Sequence, residues 1–414
     1  SHAGAAVNCQ AEAVTFTVHN PAHLEAPLAA GSVVGITTST GHGDWSLVTG
    51  LGTLTNLGNG AATYTSGGES GFVLALANPY AETVNINVIA GSVTETSGAA
   101  ASEPAPGTDP NLVFDAAGFR FVDAAGIPIG TQVSGKTSAT YTLQAIRSTG
   151  CATPGICTGA CTALFAPGAT VPIDAAAECI DPSTCQPGAQ VTLATGAETR
   201  AVPANHGGAV SSYQVTSFLF GANGQAAFTL NYSDAGSMRL LARYALGGGN
   251  LVTGQSSPFV VRPFGFALAA AGNPGAADAT GAKYKKAGET FGATLTAVAW
   301  SAPDDADSDG IPDAGADLTD NAATPNFGRE AIPETGTISH ALLAPSGGDG
   351  GVLSGGSPIG GFTGGAASAS LAFSEVGAIR LTAGLGDANY LGSGADVTGA
   401  SGPVGRFYPG HFTL

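Results

Sequence analysis

The sequence predicts an all-β protein made of tandem immunoglobulin-like β-sandwich domains that together form an elongated rod. Only 10% of the 414 residues are charged and 63 are Gly, a balance that favours short strands and tight turns over helices. Apolar and polar residues also alternate in short runs, such as AVTFTVH at 13–19, as half-buried strands require. The third observation is an internal repeat.

The repeated segment is NYSDAGSMRLLARY at 231–244, which returns 141 residues later as AFSEVGAIRLTAGL at 372–385. A looser third copy lies at 64–76. We interpret this corner motif as a turn closed by an acidic side chain, a Gly with positive φ, and a strand whose alternate residues face a core. The three copies predict three sandwiches of one kind, and a chain of this length is expected to hold roughly two to four domains.

The predicted domains follow in order along the chain. Residues 1–97 form the first sandwich, and the small, polar, Pro-containing residues 98–110 form a linker. Residues 111–263 form the second sandwich, which carries a disulfide-rich insertion at 148–186, a stretch without strand periodicity. Residues 264–414 form the third sandwich, with an Asp-rich loop and a C-terminal connecting strand. The aromatic segments VRPFGFAL and GRFYPGHFTL resemble each other, so we expect the chain to be a section of a longer protein in which such strands join domains.

The cysteines predict disulfides formed in an oxidising compartment, since they are even in number and clustered. A zinc site is the alternative, although the spacing fits it loosely. Short-range closure favours Cys179 with Cys185 and Cys151 with Cys157, which would leave a pair that crosses between domains, Cys9 with Cys161. Six cysteines allow 15 connectivities, and the sequence alone leaves them open.

The segment DADSDGIPD at 305–313 predicts a structural Ca²⁺ site, because alternating carboxylates in a turning loop can point at one hard cation. It departs from the EF-hand pattern, since Ala316 holds the twelfth place and no helices flank it. The alternative is a solvated acidic turn without an ion. The predicted ligands are the carboxylates and one carbonyl of Asp305, Asp307, Asp309, Ile311, Asp313 and Asp317.

Several classes of function are disfavoured by the sequence. The net charge is −17 and no basic stripe is present, which argues against nucleic acid as a partner. No run of about 18 apolar residues predicts a membrane span. The sequence contains no Gly-x-Ser-x-Gly turn, no phosphate-binding Gly loop before a helix and no helical His pair, so we expect no enzymatic activity, no catalytic residues and no organic cofactor. The seven histidines are expected to be loop residues without partners.

Two aromatic residues raise a carbohydrate-binding alternative. Trp45, in the segment GHGDWSL, and Tyr80 could stack on a glycan if they were exposed. The more ordinary interpretation of Trp45 is a core aromatic of the first sandwich, as a sandwich Trp usually is. A third possibility is a filament subunit, whose terminal arms would add a strand to the sheet of a neighbouring molecule.

An ordered series of segments resembles a known family. FDAAGFRFVD, YTLQAIR, FVVRPFGFAL, DSDGIPDAGADLTDNAATPNFG and GRFYPGHF together closely resemble the C-terminal region of MshQ-like proteins, which are associated with the mannose-sensitive haemagglutinin type IV pilus of Gram-negative bacteria. The resemblance implies an exported surface protein of pilus assembly or adhesion and no catalytic residues. It also implies that Cys151 and Cys157 are an addition to the family's cysteine pattern, which favours pairing these two.

The sequence thus predicts a non-enzymatic, extracellular structural or adhesive protein of a Gram-negative cell surface. Its expected partners are pilus or other surface proteins and further copies of itself, with a glycan as the alternative ligand.

Overall fold

The computed structural model describes residues 1–20, 25–94, 110–152 and 155–410, without the side chain of residue 152. Across these ranges the regular structure is β-strand apart from four single-turn 3₁₀ helices, at Ala222–Gly224, Ala302–Asp304, Leu318–Asp320 and Tyr390–Gly392. None of the described helices is long and apolar enough to cross a membrane. Almost all of the predicted linker, together with His23 and the last four residues of the predicted connecting strand, lies outside the described ranges.

The first sandwich contains eleven strands. They are β1 (Ala5–Val7), β2 (Glu12–Thr17), β3 (Val33–Thr38), β4 (Asp44–Thr49), β5 (Thr53–Gly58), β6 (Ala61–Thr65), β7 (Gly71–Ala77), β8 (Thr83–Val84), β9 (Ile86–Ala90), β10 (Val93–Thr94) and β11 (Leu112–Asp115). Their sheets have the orders β10-β9-β3-β6-β5, β2-β7-β4 and β1-β11-β8. Alternate residues of these strands enclose one core around the buried Trp45 and Tyr64.

Strand β11 corrects the predicted start of the second domain. The sequence assigned residues 111–263 to that domain, but β11 pairs in parallel with β1 and antiparallel with β8. Leu112 and Phe114 therefore enter the core of the first sandwich. The alternation of apolar residues in LVFD fits any sheet, so the sequence could not determine which partner the strand would find.

The second sandwich contains β12 (Ala117–Val122), β13 (Gln132–Val133), β14 (Tyr141–Ser148), β15 (Cys151–Ala152), β16 (Ile156–Cys157), β17 (Cys161–Ala163), β18 (Thr170–Asp181), β19 (Gln190–Thr195), β20 (Thr199–Asn205), β21 (Gln214–Leu219), β22 (Gln225–Tyr232), β23 (Gly236–Gly247), β24 (Asn250–Gln255) and β25 (Phe259–Arg262). One layer has the order β12-β14-β22-β19-β20 and the other is centred on β18, β23 and β25. Strand β20 joins the layers, because it pairs with β19 and, in parallel, with β18.

Strand β18 corrects the predicted insertion at 148–186. This twelve-residue strand lies within the predicted insertion, yet it pairs with β20, β21 and β23 at the centre of a layer. Ala175, Ala176 and Ala177 are almost completely buried in it. This run of three small buried side chains interrupts the hydrophobic alternation that marks a strand in a sequence. The part of the predicted insertion that lies outside the central strands is the shorter segment with β15, β16 and β17, which we call the cysteine-rich excursion.

The third sandwich contains β26 (Gly265–Ala270), β27 (Thr290–Val298), β28 (Gly336–Ala344), β29 (Leu353–Ser354), β30 (Ala366–Phe373), β31 (Gly377–Leu385) and β32 (Gly399–Phe407). Its two sheets have the orders β26-β27-β30-β29 and β28-β31-β32. They enclose one core that includes Phe266, Phe373 and Phe407. The tandem all-β sandwich architecture predicted from the sequence is therefore confirmed.

The corner motif has the same backbone conformation in the second and third sandwiches. Gly236 and Gly377 both have φ = 134°, and a Cβ would lie 2.6 Å from the Asp181 carbonyl oxygen at the first and 2.2 Å from the Ala344 carbonyl oxygen at the second. Glycine is required at both for conformation and for space. In the looser copy the positive φ is at Gly68 instead of Gly71, so that copy shares the acid and the aromatic but not the backbone of the turn.

Candidate functional sites at the two domain junctions

The two unusual segments of the sequence, the cysteine-rich excursion and the Asp-rich loop, both lie where one sandwich meets the next. The excursion contacts the first sandwich, although its residues belong to the second. The loop belongs to the third sandwich and contacts the second. These segments can therefore fix the position of one domain relative to its neighbour.

The structure joins Cys9 to Cys161, a pair separated by 152 residues that links the first sandwich to the second. Cys151 and Cys157 form a second disulfide, directly across the short β15–β16 hairpin. The third joins Cys179 to Cys185 within the second sandwich. These are the pairs that short-range closure favours, with the crossing pair left over.

The cross-linked hairpin lies against the loop that follows β7. The Cys157 amide donates to the Pro79 carbonyl at 2.7 Å, and the Ala81 amide donates to the Gly155 carbonyl at 2.7 Å. These bonds extend backbone pairing from one domain to the other. The Cys9–Cys161 cross-link stands beside them, so the excursion fastens the first junction both covalently and by hydrogen bonds.

A buried ion pair supports the same junction. Arg120 of β12 and Glu12 of β2 are 4% and 5% exposed, and the Arg120 Nε donates to the Glu12 carboxylate at 3.0 Å. The other guanidinium nitrogens donate to Gln144 Oε1 and the Ala11 carbonyl. Burial raises the pKa of Glu12, which the Arg120 charge opposes. The sequence offered one signal, an Arg inside the otherwise apolar strand GFRFV, but it could not name the partner.

The Asp loop (residues 304–317) follows β27 and faces the second sandwich. Lys136 Nζ lies 2.5 Å from Asp305 Oδ2, and Arg262 Nη2 donates to the Gly310 carbonyl at 2.6 Å. Gly310 has φ = 83°, and a Cβ there would lie 3.0 Å from Val133. The Gly that the motif needs for its bend is thus also the point of close approach between domains.

An apolar cluster lies beneath the Asp loop and completes the contact. Its buried members are Phe264, Ala267, Val298 and Leu318, with Val133 and Trp300 packed against them. Val133 comes from the second sandwich and the rest from the segment that begins the third. The Trp300 amide also donates to the Ser134 carbonyl at 2.8 Å, so polar and apolar contacts meet here.

Asp305 is the most buried acid of the Asp loop, at 3% exposure. Its Oδ2 accepts hydrogen bonds from Lys136, from Trp300 Nε1 at 2.6 Å and from the Gly310 amide at 3.1 Å. Burial by itself would raise the pKa of Asp305, but the hydrogen bonds from Lys136 and Trp300 outweigh it and hold the pKa below its ordinary value. This carboxylate is therefore charged at neutral pH.

The structure brings together three of the predicted calcium ligands. Asp305, Asp307 and Asp309 each offer a carboxylate oxygen within 4.8 Å of the others, the only such acidic, His or Cys group among the described residues. The remaining two carboxylates lie outside this group, and Asp313 Oδ2 accepts from the Ala306 amide while Asp317 Oδ1 accepts from Thr319. Asp307 and Asp309 also accept hydrogen bonds within the loop, from the amides of Asp309 and Ile311. Spacing along the chain shows which acids could converge, but not which of them the fold brings together.

The corner motif supplies a further contact that sequence reasoning missed. Asp234 Oδ1 accepts from its neighbour Ala235 and, at 2.9 Å, from the Asn326 amide of the third sandwich. The Asn326 side chain in turn donates to the Tyr232 hydroxyl and the Ala235 carbonyl, each at 3.2 Å. The acid of the motif thus closes its own turn and also binds the next domain, a role that a repeat within one chain does not reveal.

Buried acids accumulate beside this contact. Asp181 accepts from the Ala331 amide across the junction, and Glu330 accepts from the Tyr390 hydroxyl. Burial raises the pKa of Glu334 to about 7, and the nearby charges of Asp387, Glu330 and Asp181 raise it as well. Glu334 therefore changes its protonation near neutral pH, close to the Asp181 carboxylate of the second sandwich.

The aromatic and histidine candidates have structural surroundings. Trp45 is 3% exposed and its Nε1 donates to the Gly60 carbonyl, so it is a core aromatic and offers no face to a glycan. Tyr80 stacks on His42 with ring centroids 3.7 Å apart. The expectation that the loop histidines lack partners is wrong for His42, which pairs with Glu82 at 3.0 Å, and for His206, which accepts from the Cys185 amide. It is also wrong for His2, which accepts from the Gly4 amide, and for His340, which bonds the Gly350 carbonyl. Each of these histidine contacts holds the local turn in its conformation.

The chain shows a distant likeness to several solved structures. FdeC, an Escherichia coli adhesin, is 13% identical and has a TM-score of 0.27, with 95% of this chain and 92% of that chain covered. Invasin, a bacterial integrin-binding protein, is 15% identical with a TM-score of 0.23, covering 98% and 58%. InvD of Yersinia pseudotuberculosis is 11% identical with a TM-score of 0.23, covering 98% and 96%. Likenesses this weak carry no inference about ligands. No curated protein sequence matches the chain.

Sequence profiles of a single family match most of the chain in order. The domain of unknown function DUF6701, first Ig-like domain, matches residues 95–256, and the second and third DUF6701 domains match residues 262–372 and 375–414. The last two profiles meet inside the third sandwich, where β31 and β32 pair with β28 to form one sheet. From residue 95 onward, the chain therefore belongs to the DUF6701 family.

Proposed function

We propose that this protein is a non-enzymatic structural or adhesive protein exported to the bacterial cell surface, where it holds its sandwich domains in a fixed relation to one another. The observation that carries the proposal is the Cys9–Cys161 disulfide across the first junction. A junction whose domains rotate freely needs no cross-link. A protein that projects from a cell benefits from a cross-linked junction, because such a junction resists shear and proteolysis.

The redox chemistry supports an extracellular location. All six cysteines are paired, and such disulfides form and persist in the periplasm and outside the cell, not in a reducing cytosol. The Arg120–Glu12 pair supports the mechanical part of the proposal. A buried ion pair tolerates little displacement, because separating its members leaves an uncompensated charge in an apolar setting.

Association with a type IV pilus of a Gram-negative bacterium is the finer proposal, and it rests on the sequence resemblance to MshQ-like proteins. Its test is whether the protein sediments with pili sheared from the cell surface. If the pilus fraction contains no more of it than a fraction from cells without pili, the pilus association fails while the surface role stands.

The test of the surface role uses cells that produce the full chain. Protease added to intact cells should degrade the protein, and loss of the protein should reduce attachment to surfaces. Replacing Cys9 and Cys161 by Ser should reduce attachment under flow more than replacing Cys151 and Cys157, the matched pair that closes a local hairpin. Protection from protease in intact cells, together with unchanged attachment, would contradict the proposal.

A second candidate, self-association by strand addition, is favoured by the edge strand β5. This strand pairs with β6 on one side, lies at the end of its sheet, and has the uncharged sequence TLTNLG. Uncharged exposed edges invite another strand. Replacing Thr55 by Lys should reduce any concentration-dependent association measured by analytical ultracentrifugation. A wild-type chain that stays monomeric at high concentration would exclude this candidate.

A further inference from the structure

The Asp loop contains a buried anionic oxygen without a partner. Asp305 Oδ1 is inaccessible to solvent and makes no hydrogen bond, while its Oδ2 accepts three. A buried polar atom of this kind requires an explanation, and an ion is one of the few available.

We propose that Asp305, Asp307 and Asp309 bind one Ca²⁺ ion, and that this ion fastens the third sandwich to the second. The three carboxylates are within reach of a single ion, since their oxygens lie within 4.8 Å of one another. Asp305 supplies a buried oxygen, while Asp307 and Asp309 are exposed and leave room for water as the remaining ligands. The inference stands apart from the proposed function, because a surface protein could hold its domains without an ion.

The donor set selects the metal. All of the ligands are carboxylate oxygens, which suit hard cations and give zinc no nitrogen or sulfur donor. Ca²⁺ accepts six to eight oxygen ligands in flexible geometry and tolerates water in several positions, whereas Mg²⁺ demands near-ideal octahedral placement. Lys136 contacts Asp305 through Oδ2, and Arg262 donates to the Gly310 carbonyl of the same loop. Two positive charges therefore face the six carboxylates of residues 304–317, so the loop keeps an excess of negative charge for a divalent ion to balance.

Binding at this point would be transmitted across the junction through contacts already in place. Lys136 holds Asp305 from the second sandwich, and Arg262 holds the Gly310 carbonyl. Trp300 connects the two sides, because its Nε1 donates to Asp305 and its amide donates to Ser134. An ion that binds the Asp loop more tightly while these contacts are formed therefore stabilises the interface with the second sandwich.

The experiment measures binding of CaCl₂ to the full chain after chelator treatment, in a Trp45→Phe background. Trp300 is then the remaining Trp, and it touches a proposed ligand. Its fluorescence should change saturably, with a Kd of roughly 10⁻⁴ to 10⁻³ M as in other extracellular calcium modules. The double variant Asp307→Asn/Asp309→Asn should lose the response. Asp320→Asn, which removes a nearby exposed charge outside the group, should keep it.

Hydrogen exchange tests the junction. At 10 mM Ca²⁺, amides at 133–136 in the second sandwich should exchange roughly 10- to 100-fold more slowly, the factor by which an ion of this affinity suppresses opening. Circular dichroism in chelator should show that the double variant folds as the parent does. Absence of saturable binding, or a response that survives in the double variant, would overturn the site. Protection confined to 301–320 would overturn its role between the domains.

Discussion

Replacing Arg120 by Met removes one member of the buried ion pair at the first junction and leaves Glu12 without its cation. Both side chains are about 95% buried, and exposed pairs contribute only about 0.2–1 kcal/mol. Removing one partner of a buried pair costs about 3–5 kcal/mol, because the remaining charge stays desolvated. We expect a loss of that size, which the hydrophobic double variant Arg120→Met/Glu12→Leu should largely recover.

The assay is urea unfolding followed by fluorescence of Trp45, in a Trp300→Phe background, so that the signal reports the first sandwich. Arg200→Met is the control. It also removes an ion-paired Arg, but the pair with Glu198 is exposed, with Arg200 52% accessible. This control should leave the Trp45 transition unchanged, because the lost pair is exposed and lies in the second sandwich.

The pH dependence gives a second readout. Burial raises the pKa of Glu12, so the folded state holds a proton on Glu12 more tightly than the unfolded state does. The contribution of Glu12 to the free energy of unfolding is therefore lost as pH rises through the folded pKa. Without Arg120 the folded pKa should rise further. The deficit of the single variant should therefore be larger at pH 8 than at pH 5. A loss below about 1 kcal/mol at pH 8, or a loss independent of pH, would refute the reasoning.

Two further predictions concern the cross-links and the second junction. Replacing Cys9 and Cys161 by Ser should destabilise the chain by about 5 kcal/mol, and the same change at Cys151 and Cys157 by about 2 kcal/mol. The reason is that loop-closure entropy grows with the sequence separation of the two cysteines, which is 152 for the first pair and 6 for the second. Equal losses of stability in thermal unfolding would contradict this account. Glu334 has a folded pKa of about 7 against an ordinary 4.5. The free energy of unfolding should therefore fall as pH rises from about 4.5 to 7, since the folded state keeps the proton. Glu334→Gln should flatten this slope in denaturant titrations at several pH values. An unchanged slope would show that Glu334 is not responsible.

Local features of the sequence were sufficient for the sandwich architecture and for the corner motif. Positive φ at Gly236 and Gly377 follows from an acid–x–Gly turn before a strand, and it is present at both. Trp45 lies in a core, as alternation in DWSLV suggests. These features depend on periodicity and turn chemistry, which act over a few residues.

Features that depend on distant partners were harder to predict. The sequence predicts a loop where β18 forms, because the buried alanines 175–177 interrupt its alternation. It places β11 in the wrong domain, because the alternation of that strand fits any sheet. The partners of Asp234 and Lys136 lie 92 and 169 residues away. Nothing in the local sequence marks a side chain for a partner at such a distance.

The sequence by itself determined what the unusual segments contain: cysteines that can cross-link, and carboxylates spaced to converge on one point. Only the tertiary structure decided where these chemistries act. It placed the excursion against the first sandwich and the Asp loop against the second, so that both lie at domain junctions. The physical reason is that composition and spacing fix chemistry locally, whereas a junction is made by surfaces that meet only after each sandwich has closed its own core.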